Sequence, residues 1–334
     1  MSETVGVLGA GSFGTALAKL LAEGGHRVRL WARDAEVVRS INEDHRHPRR
    51  LREVQLPPGL VATSELEETL HGASLVVSGI PTVALREVWN QATPFLGEQT
   101  VVLSATKGIE NETLMLISDL LKDVLPSSAH HRLSYLSGPS FALELCRRLP
   151  TAVTVAAEEE QVAEQVQRII STDYFRAYTT TDVIGVELGG ALKNVIAIAA
   201  GAADGLGFGL NTRAALMTRG LAEISRLAVK MGARPLTLAG LAGMGDLVLT
   251  CTGSLSRNRS VGVQLGQGKT LAEALADIGE VAEGVNTARA VKALCRRESV
   301  EMPLSEGVYA MLFDGMDARE LVYALMGRRL KAED

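Results

Sequence analysis

The amino-acid sequence predicts an α/β plus all-α chain: an N-terminal doubly wound sheet over residues 1–180 and an all-helical C-terminal domain over 181–334. Three observations predict it. A glycine-rich turn, Gly9-Ala10-Gly11-Ser12-Phe13-Gly14, stands between the apolar run Val5-Gly6-Val7-Leu8 and a helix-forming run from Thr15 to Ala22. Short apolar strand patterns then alternate with helical ones as far as residue 180. Beyond Asp182 the apolar period is that of helices and strand signals vanish.

The first βα turn has the context that a dinucleotide fingerprint requires, a strand before it and a helix after it. Gly9 permits the tight turn, Gly11 lets a pyrophosphate reach the backbone, and Gly14 lets the helix pack close to its strand. The helix N-terminus offers free N–H groups and a partial positive charge to the anion. A second strand, Arg27 to Trp31, follows at the βαβ interval and completes a Rossmann unit. It ends in Ala32-Arg33-Asp34. An acidic residue here would hold the ribose hydroxyls of NAD(H), whereas a guanidinium suits the 2′-phosphate of NADP(H). Arg33 leans toward NADP(H) or is a solvated loop charge, and Asp34, one step late, leaves NAD(H) use open.

Next come an apolar and charged segment from Ala35 to Ile41 and a polar stretch, Asn42 to Arg52, that reads as loop. Leu75 to Ile80 is a continuous apolar strand, as a buried parallel strand should be, and Pro81 stops it. Thr100 to Leu103 and Leu133 to Leu136 are the next strands; they end at Lys107-Gly108 and at Gly138-Pro139-Ser140. Thr151–Val155 and Phe175–Tyr178 flank a charged helix from Glu159 to Ile170. The helical half reads as Gly185–Ala203, Thr212–Met231, Ser260–Leu265, Thr270–Ala276, Asn286–Arg296, Pro303–Phe313 and Asp317–Gly327. Ligands are expected where strand carboxyl ends face the cleft between the two domains.

Composition narrows the function classes. With 46% hydrophobic and 22% charged residues over 334 positions, the chain is an ordinary globular protein. A net charge of −5 without a basic face argues against nucleic acid as a partner. Cys146, Cys251 and Cys295 share no metal-like spacing, so no metal site is expected and a reducing compartment fits. The first strand starts almost at Met1 with no signal peptide before it, and the apolar stretch Val195–Ala203 is too short to span a bilayer. The expectation is a cytoplasmic protein with no membrane span.

Three residues in the helical half invite chemistry. Lys193 lies in a run that is apolar almost all round, and a buried lysine is costly unless paired. Desolvation tends to bring a lysine toward proton transfer near neutrality, although its stem could equally pack while the ammonium reaches solvent. Asp246 follows Gly243-Met244-Gly245 and opens an apolar run, so it reads as a helix N-cap, as the carboxylate that holds Lys193, or as both. Arg257, between Ser256 and Asn258, is a phosphate receptor or part of an exposed basic loop. Lys107 is a second cation, at a strand end.

Together these segments resemble those of bacterial-type NAD(P)-dependent glycerol-3-phosphate dehydrogenases, end to end. The similar segments are Gly9 to Ala18, Ala105 to Glu110, Ser137 to Ala142, Gly189 to Ala197, Gly245 to Thr252, Ser256 to Arg259 and Glu283-Gly284. The resemblance implies reversible reduction of dihydroxyacetone phosphate to sn-glycerol 3-phosphate, the backbone of phospholipids, and a homodimer. It implies Lys193 as proton donor or acceptor. Ser12, Phe13, Arg33, Ala142, Val281 and Glu283 would line the dinucleotide. Lys107, Gly138, Ser140, Asp246, Ser256, Arg257 and Asn258 would surround substrate, with Lys107 and Arg257 also touching cofactor. The chain departs from the family pattern at Arg52, at Thr82-Val83 and at Asn286. Two other readings of the residues are a 3-hydroxy-acid dehydrogenase of the same architecture and a non-enzymatic NADPH-binding sensor.

Overall fold

The computed structural model describes residues 2–279, 281–327, 329 and 332. The chain forms two compact units: residues up to Lys107 with Met115–Glu187, and Gly108–Leu114 with the residues from Leu188 on. The change of unit thus falls inside a helix a little beyond residue 180, and one short earlier segment belongs with the later residues.

The first unit runs β1 (Thr4–Leu8), α1 (Ser12–Glu23), β2 (Arg27–Trp31), α2 (Ala35–Asp44), β3 (Leu60–Thr63), α3 (Leu66–Leu70), β4 (Leu75–Ser78) and α4 (Thr82–Ala92). It continues β5 (Val101–Ser104), α5 (Ile117–Val124), β6 (Leu133–Ser137), α6 (Ala142–Cys146), β7 (Thr151–Ala157), α7 (Glu160–Ile170) and β8 (Phe175–Thr180). The eight strands form one sheet in the order β3-β2-β1-β4-β5-β6-β7-β8. Strand order reverses at β1, so the crevice beyond its carboxyl end is the ligand position of such sheets. The β-branched residues Val5, Val7, Val77 and Val101 are fully or almost fully buried with Leu17, Leu20 and Leu21 of α1 in one core.

Three features depart from the sequence reading. β3 was not expected; its four residues follow Pro57-Pro58-Gly59 and expose Val61, so no apolar alternation announces it. α2 continues through Asp44, where the loop was expected from Asn42, and His45 ends it in a left-handed conformation. β7 is antiparallel to β6. The link between them holds only the five-residue α6, too short to carry the chain back along a strand as a parallel crossover must.

Both edges of the sheet are closed by side chains of their own unit. On β3 the Asn42 amide accepts from the Ala62 N–H (2.8 Å) and donates to the Ala62 carbonyl (2.9 Å). On β8 Gln167 donates to the Ala177 carbonyl (2.8 Å), and the Ala177 N–H points at the Ser171 hydroxyl (3.4 Å). Spending edge groups in this way blunts strand addition by another chain.

The second unit is helical: α8 (Val183–Gly205, begun in the first unit), α9 (Leu210–Lys230), α10 (Pro235–Ala239), a π-helical turn (Leu241–Gly245), α11 (Asp246–Thr252), α12 (Arg257–Gly266), α13 (Leu271–Ile278), α14 (Glu283–Glu298), α15 (Pro303–Phe313) and α16 (Ala318–Met326). At 23 residues α8 exceeds the stretch read from sequence and is long enough to cross a bilayer, but 94% of its most apolar window is buried inside the protein. It packs on α12 backbone to backbone. A Cβ added to Gly262 would lie 2.0 Å from the Ile198 carbonyl oxygen, and one on Gly201 2.0 Å from that of Arg259. Asp204 at the end of α8 secures the same contact through Arg259 (2.7 Å) and also holds Arg213 (2.6 Å). The buried Glu223 carboxylate accepts the N–H groups of Leu304 (2.7 Å) and Ser305 (3.1 Å), filling donors that the first turn of α15 would leave unpaired.

Burial pushes the three thiols up, Cys146 to about 11 and Cys251 and Cys295 to about 12, so all three stay protonated and inert at neutral pH. Glu187 is shifted as well. It accepts the Ser118 N–H (2.7 Å) and hydroxyl (2.6 Å), yet burial outweighs these bonds and raises its carboxyl from 4.5 to about 8. The folded chain therefore holds this proton more tightly than the unfolded one. Its contribution to stability is complete below about pH 4.5 and is lost as pH rises toward about 8. Glu187→Gln keeps bonds to Ser118 and cannot ionise. Its stability relative to the parent is expected to climb across that window by up to about 1.4 kcal/mol per pH unit. Urea titrations at a series of pH values read this; a constant difference would refute it.

Candidate active site

The first cluster is the β1–α1 turn. Gly9 has φ +103° and its N–H donates to the Trp31 carbonyl (3.1 Å), fixing the turn beside β2. A Cβ on Gly14 would lie 2.0 Å from the Gly9 carbonyl oxygen, so only glycine fits. Gly11 differs: a Cβ there would enter open space, with the Arg50 Nη1 at 3.9 Å as its single neighbour within 4 Å. Protein packing does not require that glycine, whereas a ligand lying against the backbone does. Gly11 caps α1 without a side-chain bond and the first turn carries no acid, so the N–H groups of the Ser12–Phe13–Gly14 turn suit a pyrophosphate. The residues present fit a dinucleotide. Arg33 stands exposed just past β2, as the sequence places it.

A second group gathers at the carboxyl ends of β5 and β6. The Lys107 ammonium donates to the Gly138 carbonyl (3.4 Å), and the Ser140 hydroxyl donates to the same oxygen (3.0 Å). Gly138 has φ +135°, and a Cβ there would meet Val153 Cα at 2.9 Å. Ala142 opens α6 and is packed against the sheet core.

In the helical unit Lys193 is 7% exposed on α8, in a stretch of chain that is mostly apolar. Its Nζ pairs with the Asp246 carboxylate and donates to the Thr250 hydroxyl (2.8 Å), which in turn donates to the Asp246 carbonyl (2.6 Å). Asp246 is 1% exposed. Of its two readings the N-cap is not realised. The π turn before it already has helical dihedrals at Gly245, so Asp246 is the first residue of α11 and its side chain goes to Lys193. That turn is seated on α8 at Gly189, where a Cβ would lie 2.6 Å from the Ala242 carbonyl oxygen. Such turns recur at functional sites.

Ser256 caps α12, its hydroxyl accepting the Arg259 N–H (3.2 Å). Arg257, the first helical residue, is exposed, and Asn258 is buried. The Asn258 amide donates to Asn194 Oδ1 (3.0 Å) and accepts the Gly284 N–H (2.9 Å). It thereby joins the residue after Lys193 to the residue after Glu283, at the start of α14. Val281 is exposed two positions before Glu283. Within the helical unit, then, Lys193 and Asp246 meet directly, while Ser256, Asn258 and Glu283 are brought to the same helix junction.

Sequence reasoning passed over Thr250 and Asn194. Both lie in segments singled out above. Thr250 sits four residues after Asp246, hence on the same helical face, and that spacing was the available signal.

Comparison with known proteins gives the family. The family model for the NAD-dependent glycerol-3-phosphate dehydrogenase N-terminus matches residues 4–163, and that for the C-terminus matches residues 182–323. A glycerol-3-phosphate dehydrogenase (NAD(P)+) of Geobacter sp. (strain M21) is 53% identical over 333 residues, covering 100% of this chain and 99% of that protein. One from Myxococcus xanthus (strain DK1622) is 53% identical over 327 residues, 98% of each. The crystal structure of glycerol-3-phosphate dehydrogenase from Coxiella burnetii superposes with a TM-score of 0.93 at 38% identity, covering 98% of this chain and 99% of that one. With the family models matching residues 4–163 and 182–323 and relatives matching along the whole chain, the chain belongs to the NAD-dependent glycerol-3-phosphate dehydrogenase family.

Proposed function

We propose that the chain interconverts dihydroxyacetone phosphate and sn-glycerol 3-phosphate with Lys193 as the proton donor and acceptor. The observation that carries this reading is the Lys193–Asp246–Thr250 cluster, a buried ammonium aimed by two partners. When bound, the nicotinamide supplies or accepts a hydride at the substrate carbon. As charge develops on the ketone oxygen, the Lys193 ammonium stabilises it and passes a proton to it. Asp246 and Thr250 fix two of the ammonium N–H directions, so no reorganisation is needed as the charge appears. Asp246 further compensates a cation that would be costly to bury alone.

The other residues bind and orient. Ser256, Arg257 and Asn258 take the substrate phosphate at the N-terminus of α12, where a guanidinium and the positive end of the helix suit it. Lys107, Gly138 and Ser140 complete the substrate contacts. Gly9, Gly11, Ser12, Phe13, Gly14, Arg33 and Ala142 hold the dinucleotide from the sheet unit, with Lys107; Val281, Glu283 and Arg257 do so from the helical unit. Residues 1–180 thus carry most of the dinucleotide contacts and some of the substrate ones, and 181–334 carry Lys193, Asp246 and the phosphate-binding residues. Loss of nicotinamide absorbance with dihydroxyacetone phosphate and each reduced nucleotide in turn tests the reaction; a chain that consumes neither would overturn it.

The same reading takes the chain as a cytoplasmic homodimer. Free, buried cysteines suit a reducing compartment, and the exposed Leu210 and Leu236 of the helical unit suit self-association. Cell fractionation reads the first, and sedimentation velocity the second; a monomer at micromolar concentration would exclude the dimer.

A further inference from the structure

The polar stretch after α2, read from sequence as an ordinary loop, is bonded to the glycine turn. His47 is only 3% exposed. Its Nδ1 accepts the N–H groups of Arg49 (3.2 Å) and Arg50 (3.1 Å), and its Nε2 lies 3.0 Å from the carbonyl oxygen of Ala10. With Nδ1 occupied as an acceptor, Nε2 carries the proton and donates it to Ala10, the residue between Gly9 and Gly11. One neutral imidazole therefore ties two successive arginines to the turn that receives the dinucleotide. Flanking residues His45 and Leu51 are both held in the left-handed region, at φ 50° and 48°, so the path of this segment is imposed rather than relaxed.

The two arginines act on different neighbours. Arg49 pairs with Asp34, whose other oxygen accepts the Glu36 N–H (2.9 Å) as the cap of α2. Both oxygens of the acid best placed for ribose hydroxyls are thus engaged, and the Arg49 bond holds its carboxyl below the usual range. Arg50 instead reaches over the turn. Its Nη1 lies 3.9 Å from where a Cβ on Gly11 would stand. Arg33, just past β2 and next to Asp34 in the chain, is exposed.

We infer that His47, Arg49 and Arg50 select the phosphorylated nucleotide: Arg50 receives the adenosine 2′-phosphate and Arg49 silences Asp34, the acid that would otherwise favour NADH. The inference rests on the β1–α1 turn being the dinucleotide site. An ionised Asp34 free of Arg49 would repel a 2′-phosphate and accept from ribose hydroxyls; the paired one does neither as well. A guanidinium matches a phosphate monoester with two parallel hydrogen bonds, which the 2′-hydroxyl of NADH cannot offer.

The test is equilibrium binding to the full chain, by fluorescence or calorimetric titration with NADPH, NADH, 2′-AMP and 5′-AMP. Arg50→Met is expected to weaken NADPH and 2′-AMP by roughly 10- to 100-fold while NADH and 5′-AMP move less than about 3-fold. Arg49→Met is expected to weaken NADPH and tighten NADH, and adding Asp34→Asn should return much of the lost NADPH affinity. Circular dichroism on each variant checks that the segment change leaves the fold intact. Equal losses for NADPH and NADH in Arg50→Met would place that guanidinium on the pyrophosphate and overturn the assignment. So would no change in either nucleotide, or an Arg49→Met variant with unaltered preference. A parent chain that binds neither nucleotide would instead overturn the dinucleotide reading itself, so the two failures are distinct.

Discussion

Lys193→Ala is expected to lower kcat for dihydroxyacetone phosphate reduction by about 10³-fold or more while leaving the Kd for reduced nucleotide within a few-fold of the parent. The magnitude follows from two losses at once. The ketone oxygen loses its proton donor, and the positive charge that stabilises it in a low-dielectric pocket disappears with it. The substitution also leaves the Asp246 carboxylate buried without its ammonium, which costs stability of the order of 3–5 kcal/mol. Activity must therefore be compared on protein shown to be folded. Stopped-flow hydride transfer separates the chemical step from nucleotide release. A variant that retains turnover within about tenfold of the parent would remove Lys193 from proton transfer.

Arg257→Ala is expected to act on the other side of the rate equation. A guanidinium that grips the substrate phosphate binds ground state and transition state alike, so its loss should raise KM for dihydroxyacetone phosphate by about 10²-fold with a smaller change in kcat. The same variant should respond little to phosphate added as an inhibitor, whereas the parent should be inhibited competitively. Any fall in kcat would measure how far the phosphate contact also orients the ketone. An unchanged KM would remove Arg257 from the phosphate site. Because Asn258 and Ser256 are held by bonds that do not pass through the Arg257 side chain, the helix start should survive the change.

The features most legible in the sequence were those encoded locally. The glycine turn needs particular backbone shapes at particular positions, and Gly9 and Gly14 occupy them for the reasons the motif implies. The helical half showed in its period alone, because amphipathic helices write their packing into the chain at every turn. Lys193 stood out as a lone cation in an apolar run, and its burial follows from that run. Its partner was less legible: Asp246 is 53 positions away, and cap and counter-ion look alike until the π turn is seen.

What stayed hidden depends on distant or unusual contacts. β3 is too short for an alternating pattern, and the direction of β7 depends on the length of α6 rather than on its own residues. The His47–Arg50 segment reads as solvated loop because its composition is polar; the bond from His47 to Ala10 and the approach of Arg50 to Gly11 reveal its association with the turn. Glu187 and Glu223 gave no signal either, since a buried acid and an exposed one are the same letter until their donors, Ser118 and the start of α15, are placed beside them.

The whole account depends on one proton leaving one nitrogen. Chemical rescue measures it most directly: turnover of Lys193→Ala titrated with small primary ammonium ions, which can sit against Asp246 and Thr250 where the side chain was removed. The account predicts a very low rate without amine and a saturable, several-fold recovery on adding methylammonium, larger for more acidic ammonium ions of similar size. A near-parental rate before any amine is added would contradict it.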